Sequence, residues 1–109
     1  MRTGDLLMAV AFFTRVIDKN PNFAEGWNKR ATVYYILGKF DASMIDIHET
    51  LKLEPRHFGA MDGMGLIFVH YQQFDKAIDI YDKMLEIFPN NSSAIQKKEM
   101  LRNRLSDSA

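Results

Sequence analysis

Apolar side chains recur along this chain every three or four residues, in six stretches separated by short turns. That spacing places the apolar residues of each stretch on one face of an α-helix. The stretches lie at residues 5–18, 24–37, 40–53, 58–71, 74–88 and about 94–105. The turns between them are rich in glycine, asparagine and proline, which end helices. The pattern therefore predicts an all-α chain.

The predicted helices repeat in pairs with a fixed period. Each proline follows the previous one by 34 residues, at Pro21, Pro55 and Pro89. Shifting the chain by the same step superposes Phe40 on Phe74. A period of this size, with two helices in each repeat, is typical of a solenoid whose neighbouring repeats bury their apolar faces against each other.

Two successive repeats carry a recognisable set of residues. They are Trp27, Tyr34, Gly38, Phe40, Leu51 and Pro55 in the first, and Met61, Gly65, Phe68, Phe74, Ala77, Tyr81 and Pro89 in the second. With these residues at this spacing, the chain resembles the tetratricopeptide repeat (TPR) family over nearly its whole length. The resemblance implies a right-handed α-α superhelix of about two and a half repeats with a C-terminal capping helix. It says little about function, since many partners are recognised on such a frame.

Four residues depart from the family pattern. Arg30 stands where leucine is usual, and Ser43 and Thr50 occupy positions of the small residue alanine. Gln72 replaces the glycine of a turn. None of these departures breaks the repeat.

The repeat predicts a single domain over residues 1–109. Its parts are a half repeat at 5–21, full repeats at 24–57 and 58–91, and a capping helix at 92–105. The capping helix is polar where the repeats are apolar, with Lys98 and Arg102 at the positions of Met64 and Phe68. A polar outer face is what a terminal repeat needs to stop further stacking.

Composition narrows the classes of partner. Lys and Arg number 14, as do Asp and Glu, so the formal net charge is zero. Because nucleic-acid binding needs clustered basic charge, no nucleic-acid partner is expected. The chain has no cysteine, which excludes disulfides and thiolate chemistry.

Apolar runs in the chain are too short for membrane insertion. None reaches the roughly 20 residues that cross a bilayer, so no membrane partner is expected. The run Leu6–Phe13 lacks a small-residue cleavage site after it, and it fits the repeat better than a signal peptide. The compartment stays undetermined, with the cytoplasm slightly favoured.

No residue pattern predicts catalysis, a metal site or a cofactor. His48, His57 and His70 lie on separate elements, and Asp46 and His48 face different ways on a helix. No serine lies in a nucleophile turn, and the glycines at 58–65 lack the spacing and the lysine of a phosphate loop. A protein interaction module without catalysis is therefore favoured over an enzyme.

The family resemblance implies that the first helix of each repeat lines an inner groove. The residues expected to bind a protein or peptide partner there are Glu25, Asn28, Thr32, Tyr35, Asp62, Leu66, Val69 and His70. Leaving Tyr35, Leu66 and Val69 in water is unfavourable, which favours a partner over a merely solvated face.

One subset of the family holds the terminal carboxylate of chaperones with Lys, Asn and Arg side chains in this groove. The corresponding positions here include Glu25, Asn28, Lys29, Gly59, Asp62 and Gly63. Only Lys29 would attract a carboxylate, while Glu25 and Asp62 would repel one. The chain is not expected to belong to that subset.

The predicted helix at 5–18 is apolar on more than one face. Leu7 and Phe12 stand at repeat positions that are Asp41 and Asp46 in the next repeat. Pairing of two copies through Leu7, Phe12 and Phe13 would bury these side chains by one isologous contact. The alternative function is therefore structural self-assembly into a homo-oligomer.

Overall fold

The six predicted helices are confirmed. A computed structural model describes residues 2–108, and these residues contain no β-strand. The helices are α1 (Thr3–Lys19), α2 (Ala24–Ile36), α3 (Phe40–Leu53), α4 (Phe58–His70), α5 (Phe74–Ile87) and α6 (Ser92–Ser108). Their ends differ from the predicted ones by three residues at most.

The helices group into two compact units. The first unit ends at Gly63 and the second begins at Met64, both within α4. In the first unit α2 packs against α1 and α3, and in the second α5 packs against α6. The single domain and the repeat limits inferred from the 34-residue period stay predictions.

Both turns inside the repeats use a left-handed residue. Gly38 has φ 77°, which glycine adopts without steric cost. Gln72 has φ 59° at the equivalent position. The amide of Lys39 donates to the carbonyl of Tyr34 at 2.8 Å, and the amide of Gln73 donates to that of Phe68 at 2.8 Å. Gln72 therefore ends its helix in the same way as Gly38. Because Gln72 has a Cβ atom, the left-handed conformation costs it about 1–2 kcal/mol.

A buried ion pair joins α2 to α3 in the first unit. The guanidinium of Arg30 donates through Nε and Nη2 to the two carboxylate oxygens of Asp46, at 2.7 and 2.8 Å. Its Nη1 donates to the hydroxyl of Thr14 on α1 at 3.1 Å. The side chain of Asp46 is only 1% exposed, so its charge depends on this partner. The hydrogen bonds to Asp46 raise the pKa of Arg30 above its ordinary value.

Aromatic rings cover the guanidinium. Its carbon lies 5.3 Å from the ring centre of Trp27 and 5.6 Å from that of Tyr34, within cation-π range. The indole of Trp27 in turn donates to the carbonyl of Pro21 at 2.8 Å. Arg30, which departs from the family pattern, is thus the centre of a cluster that links α1, α2 and α3.

The two other polar departures in the first unit are also satisfied. Ser43 and Thr50 are almost completely buried. The hydroxyl of Ser43 donates to the carbonyl of Ala31 at 2.7 Å, and that of Thr50 donates to the carbonyl of Asp46 at 2.8 Å. Each hydroxyl replaces a methyl hydrogen without leaving a buried polar group unpaired, which is why the small-residue positions accept them.

The core of the second unit requires a glycine. A Cβ atom added at Gly65 would lie 2.8 Å from the ring of Tyr81, which is 1% exposed. Close packing between α4 and α5 therefore explains a glycine in the interior of a helix, where it otherwise costs about 1 kcal/mol. At the start of α6, the amide of Ala94 donates to the side chain of Asn91 at 3.0 Å, which caps the helix.

We expect that removing one partner of the ion pair destabilises the protein strongly. Replacing both partners by apolar residues should destabilise it much less. Asp46→Ala leaves the Arg30 charge without its carboxylate and should destabilise the protein by about 3–5 kcal/mol. The second repeat has Met64 and Ile80 at the equivalent positions. The double variant Arg30→Met, Asp46→Ile copies that apolar pair and should recover most of the loss.

Urea denaturation followed by circular dichroism measures these free energies of unfolding. Lys52→Ala is the control, because its ion pair with Glu49 is exposed and worth less than about 1 kcal/mol. A double variant as unstable as Asp46→Ala would contradict the account, since the pair would then be irreplaceable by packing.

Candidate functional site

The predicted partner-binding residues of the first unit are accessible. Thr32 is exposed, and Glu25, Asn28, Tyr35 and Asp62 are partly exposed. Several of them already contact other residues of the unit. The Thr32 hydroxyl donates to the carbonyl of Asn28 at 3.1 Å, and the ring of Tyr35 meets that of Phe40 edge to face at 5.3 Å.

The carboxylate of Glu25 is held from two sides. The side-chain amide of Asn28 donates to it at 2.9 Å, and Nε2 of His57 lies 3.5 Å away. Together with the nearby Lys29, these contacts lower the pKa of Glu25, with the hydrogen bond from Asn28 as the largest cause. Glu25 is therefore ionised at neutral pH, and part of its charge is already balanced inside the unit.

The role of His57 in the first unit could not be seen in the sequence, where it counted only as a possible metal ligand. Its Nδ1 accepts the backbone N–H of Ala60 at 3.0 Å, so His57 caps the start of α4. With Nδ1 accepting, the proton of the neutral ring is on Nε2, which faces Glu25. Histidine is not among the residues that commonly cap helices, and the contact with Glu25 joins residues far apart in the sequence, so neither role leaves a local pattern.

Leu66 and Val69 lie in an apolar cleft of the second unit. The cleft has a volume of about 180 Å³ and is formed by α4, α5 and α6. Its lining residues are Leu66, Val69, Tyr81, Lys97, Met100, Leu101 and Arg104. His70 is exposed, and its ring meets that of Tyr71 edge to face at 5.2 Å.

The contribution of α6 to the cleft was not predicted. The sequence pattern indicated a polar capping helix, and its polar residues Lys98 and Arg102 do lie outside the cleft. Met100 and Leu101 fall on the other side of the same helix and complete the apolar wall. Their i, i+3, i+4, i+7 spacing with Lys97 and Arg104 is the signal that could have identified this face.

The predicted self-association residues lie on an accessible part of α1. Leu7 is 50% exposed and Phe12 is 53% exposed, while Phe13 is partly buried. The rings of Phe12 and Phe13 meet edge to face at 5.2 Å. The helix therefore presents large apolar side chains to solvent although Leu6 and Ile17 are buried.

Residues 2–108 contain neither a cluster of metal ligands nor a helix that could span a membrane. No three His, Asp or Glu side chains of this part of the chain are grouped so that they could hold a metal ion. None of the helices described for it combines the length and the apolar character that a membrane crossing needs.

Known proteins share both the repeat and the fold. The sequence model of the tetratricopeptide repeat matches residues 12–44. A TPR repeat-containing protein of Rhizobium etli is 35% identical over 89% of this chain, which spans 48% of that relative. Hsp70-Hsp90 organizing protein 2 of Arabidopsis thaliana is 29% identical over 80% of the chain, which spans only 15% of it.

Solved structures share the helical arrangement at low sequence identity. The first TPR of Spaghetti (RPAP3), bound to the HSP90 peptide SRMEEVD, superposes with a TM-score of 0.85 at 24% identity, covering 94% of this chain and 84% of that one. At such identity the likeness concerns the fold. Together with the 34-residue period and the related sequences, it confirms the resemblance inferred from the residues: this chain carries the tetratricopeptide repeat and has the fold of tetratricopeptide repeat domains.

Proposed function

We propose that this chain is a non-catalytic protein interaction module that binds a short peptide segment of a partner. The apolar cleft around Leu66 and Val69 is the observation that carries the proposal, because it leaves a concave apolar surface accessible on a small domain. TPR domains of the same fold have been solved with HSP90 and HSP70 peptides, which supports peptide binding as the class of activity.

The proposed contacts in the first unit are mainly polar. Asn28 and Thr32 offer hydrogen-bonding groups, and Tyr35 offers part of an aromatic face. Glu25 and Asp62 add negative charge. In the second unit Leu66 and Val69 supply the apolar contacts, with His70 beside them in the sequence. These eight residues stay proposed contacts of a peptide partner.

The chaperone-binding subset of the family holds the terminal carboxylate of its partner with side chains at set groove positions. We do not propose such a contact at the corresponding positions of this chain. Gly59 and Gly63 bring no basic side chain there, and Lys29 is the one cation among those positions. The adjacent carboxylate of Glu25 is ionised because its pKa is lowered. We therefore propose recognition of an internal segment with apolar side chains, at micromolar affinity or about −8 kcal/mol.

We expect Leu66→Glu to abolish peptide binding. The charge would enter the apolar cleft, where it excludes a large apolar side chain of the partner. Peptides are first selected on the parent protein from a random heptapeptide library, and their dissociation constants are then measured by fluorescence anisotropy. Circular dichroism confirms that the variant keeps its helical signal.

The matched control is Ile45→Glu, because Ile45 lies on α3 in the first unit and is 63% exposed. This variant should bind the selected peptides as the parent does. Equal affinity of Leu66→Glu and the parent for every selected peptide would contradict the proposal and move recognition to another surface.

Self-association through α1 is a second candidate, favoured by the exposure of Leu7 and Phe12. Each side chain buried between two copies would contribute roughly 1.5–3 kcal/mol. The proposed contact is isologous, so the same residues of both copies, with Phe13 beside them, meet across a two-fold axis.

We expect Phe12→Asp to shift the protein toward the monomer. Paired aspartates would be desolvated and would repel each other in the isologous contact. Multi-angle light scattering over a range of concentrations measures the mass of the parent and the variant. A parent that stays monomeric at several hundred micromolar would rule this candidate out.

A further inference from the structure

The apolar cleft of the second unit has an oxidisable residue in its wall. Met100 on α6 lines the cleft and is nevertheless 62% exposed. It is the one methionine among the described residues that line the cleft. An oxidant in solvent therefore reaches a thioether that belongs to the surface on which the proposed function depends.

The other described methionines are either buried or outside the cleft. Three of them are at most 8% exposed, namely Met61, Met64 and Met84. Met8 is 72% exposed but lies on α1 in the first unit, where Met44 on α3 is partly exposed. Because an oxidant must contact the sulfur, Met8 and Met100 should react first. Of these two, only Met100 lines the cleft.

We propose that Met100 is a reversible oxidation site that controls peptide binding in the cleft. The inference rests on the proposed function and adds a means of regulating it. Hydrogen peroxide transfers one oxygen atom to the thioether sulfur, so an S–O bond forms, the O–O bond breaks and water leaves. The sulfur loses two electrons and the peroxide gains them. Methionine sulfoxide reductases reverse the change.

The sulfoxide makes this part of the wall polar. In the empty cleft water hydrates the sulfoxide oxygen, because Met100 is largely exposed, so the fold should be kept. An apolar side chain of a peptide would displace that water and offer no hydrogen bond in its place. Oxidation of Met100 should therefore weaken binding of an apolar segment about tenfold.

Oxidation of the intact chain by hydrogen peroxide tests the inference. The probes are peptides from the library selection that contain no methionine, cysteine or tryptophan. Catalase removes the peroxide before their dissociation constants are measured by fluorescence anisotropy. Mass spectrometry of proteolytic fragments assigns each sulfoxide to its methionine. We expect about tenfold weaker binding after oxidation, and recovery after treatment with the two reductases that act on the two sulfoxide epimers.

Met100→Leu is the variant and Met8→Leu is its matched control. Leucine keeps the wall apolar and cannot form a sulfoxide, so Met100→Leu should bind as the parent does and keep its affinity in peroxide. Met8→Leu removes the exposed methionine of α1, and it should lose affinity in peroxide as the parent does. Thermal melting followed by circular dichroism checks that both variants and the oxidised parent are folded.

Three results would overturn the inference. One is unchanged affinity of the parent when Met100 is shown to be a sulfoxide. Another is a Met100→Leu variant that loses affinity in peroxide as the parent does, since a different residue would then be responsible. The third is a Met100 that stays reduced under conditions that oxidise Met8.

The proposed function is decided separately, on protein that has not been oxidised. Peptides that bind the untreated parent and are lost in Leu66→Glu would leave it intact, whatever the effect of peroxide. A selection that yields no binding peptide would contradict the proposed function, and this inference with it.

Discussion

The pair formed by Arg30 and Asp46 is the interaction on which the first unit depends. The Asp46 carboxylate would not be tolerated alone in its nearly dry position, so the partly exposed guanidinium of Arg30 stabilises its burial. The same guanidinium reaches Thr14 and lies against Trp27 and Tyr34. A single side chain thereby ties three helices into one arrangement, which apolar packing alone would hold with less directional precision.

The helices could be predicted from sequence because their causes are local. Apolar spacing identifies a helix face, and residues such as Gly38 mark the ends. The meaning of Arg30 could not be predicted in this way. Its partner lies 16 positions away in the chain, and the equivalent partner position in the next repeat is the apolar Ile80. The departure from the family pattern at Arg30 therefore did not reveal that Asp46 is its partner.

For the candidate site, the sequence indicated the residues of α4 but not the contribution of α6. The family resemblance, applied with the helical spacing, indicated Leu66 and Val69, and both line the cleft of the second unit. The opposite wall comes from α6. The polar residues of this helix indicated a capping helix, and the apolar side formed by Met100 and Leu101 was not predicted. Spacing shows which side chains share a face, but contacts between helices decide which of them remain available. The contact between Glu25 and His57 is such a case, since it occupies one side of the carboxylate that a ligand would otherwise meet.

The ion pair also specifies which helices pack together in a chain whose repeats are similar. Successive repeats have similar helices, and arrays of this kind can misassemble by exchanging equivalent elements. If α2 folded against α5 in place of α3, the partly buried Arg30 would meet Ile80 and would lose its counter-charge. If α4 took the place of α2 beside α3, Asp46 would meet Met64 and would lose its counter-charge. One polar pair, present in only one of the two repeats, thus favours the native pairing of α2 with α3 over both of these exchanges.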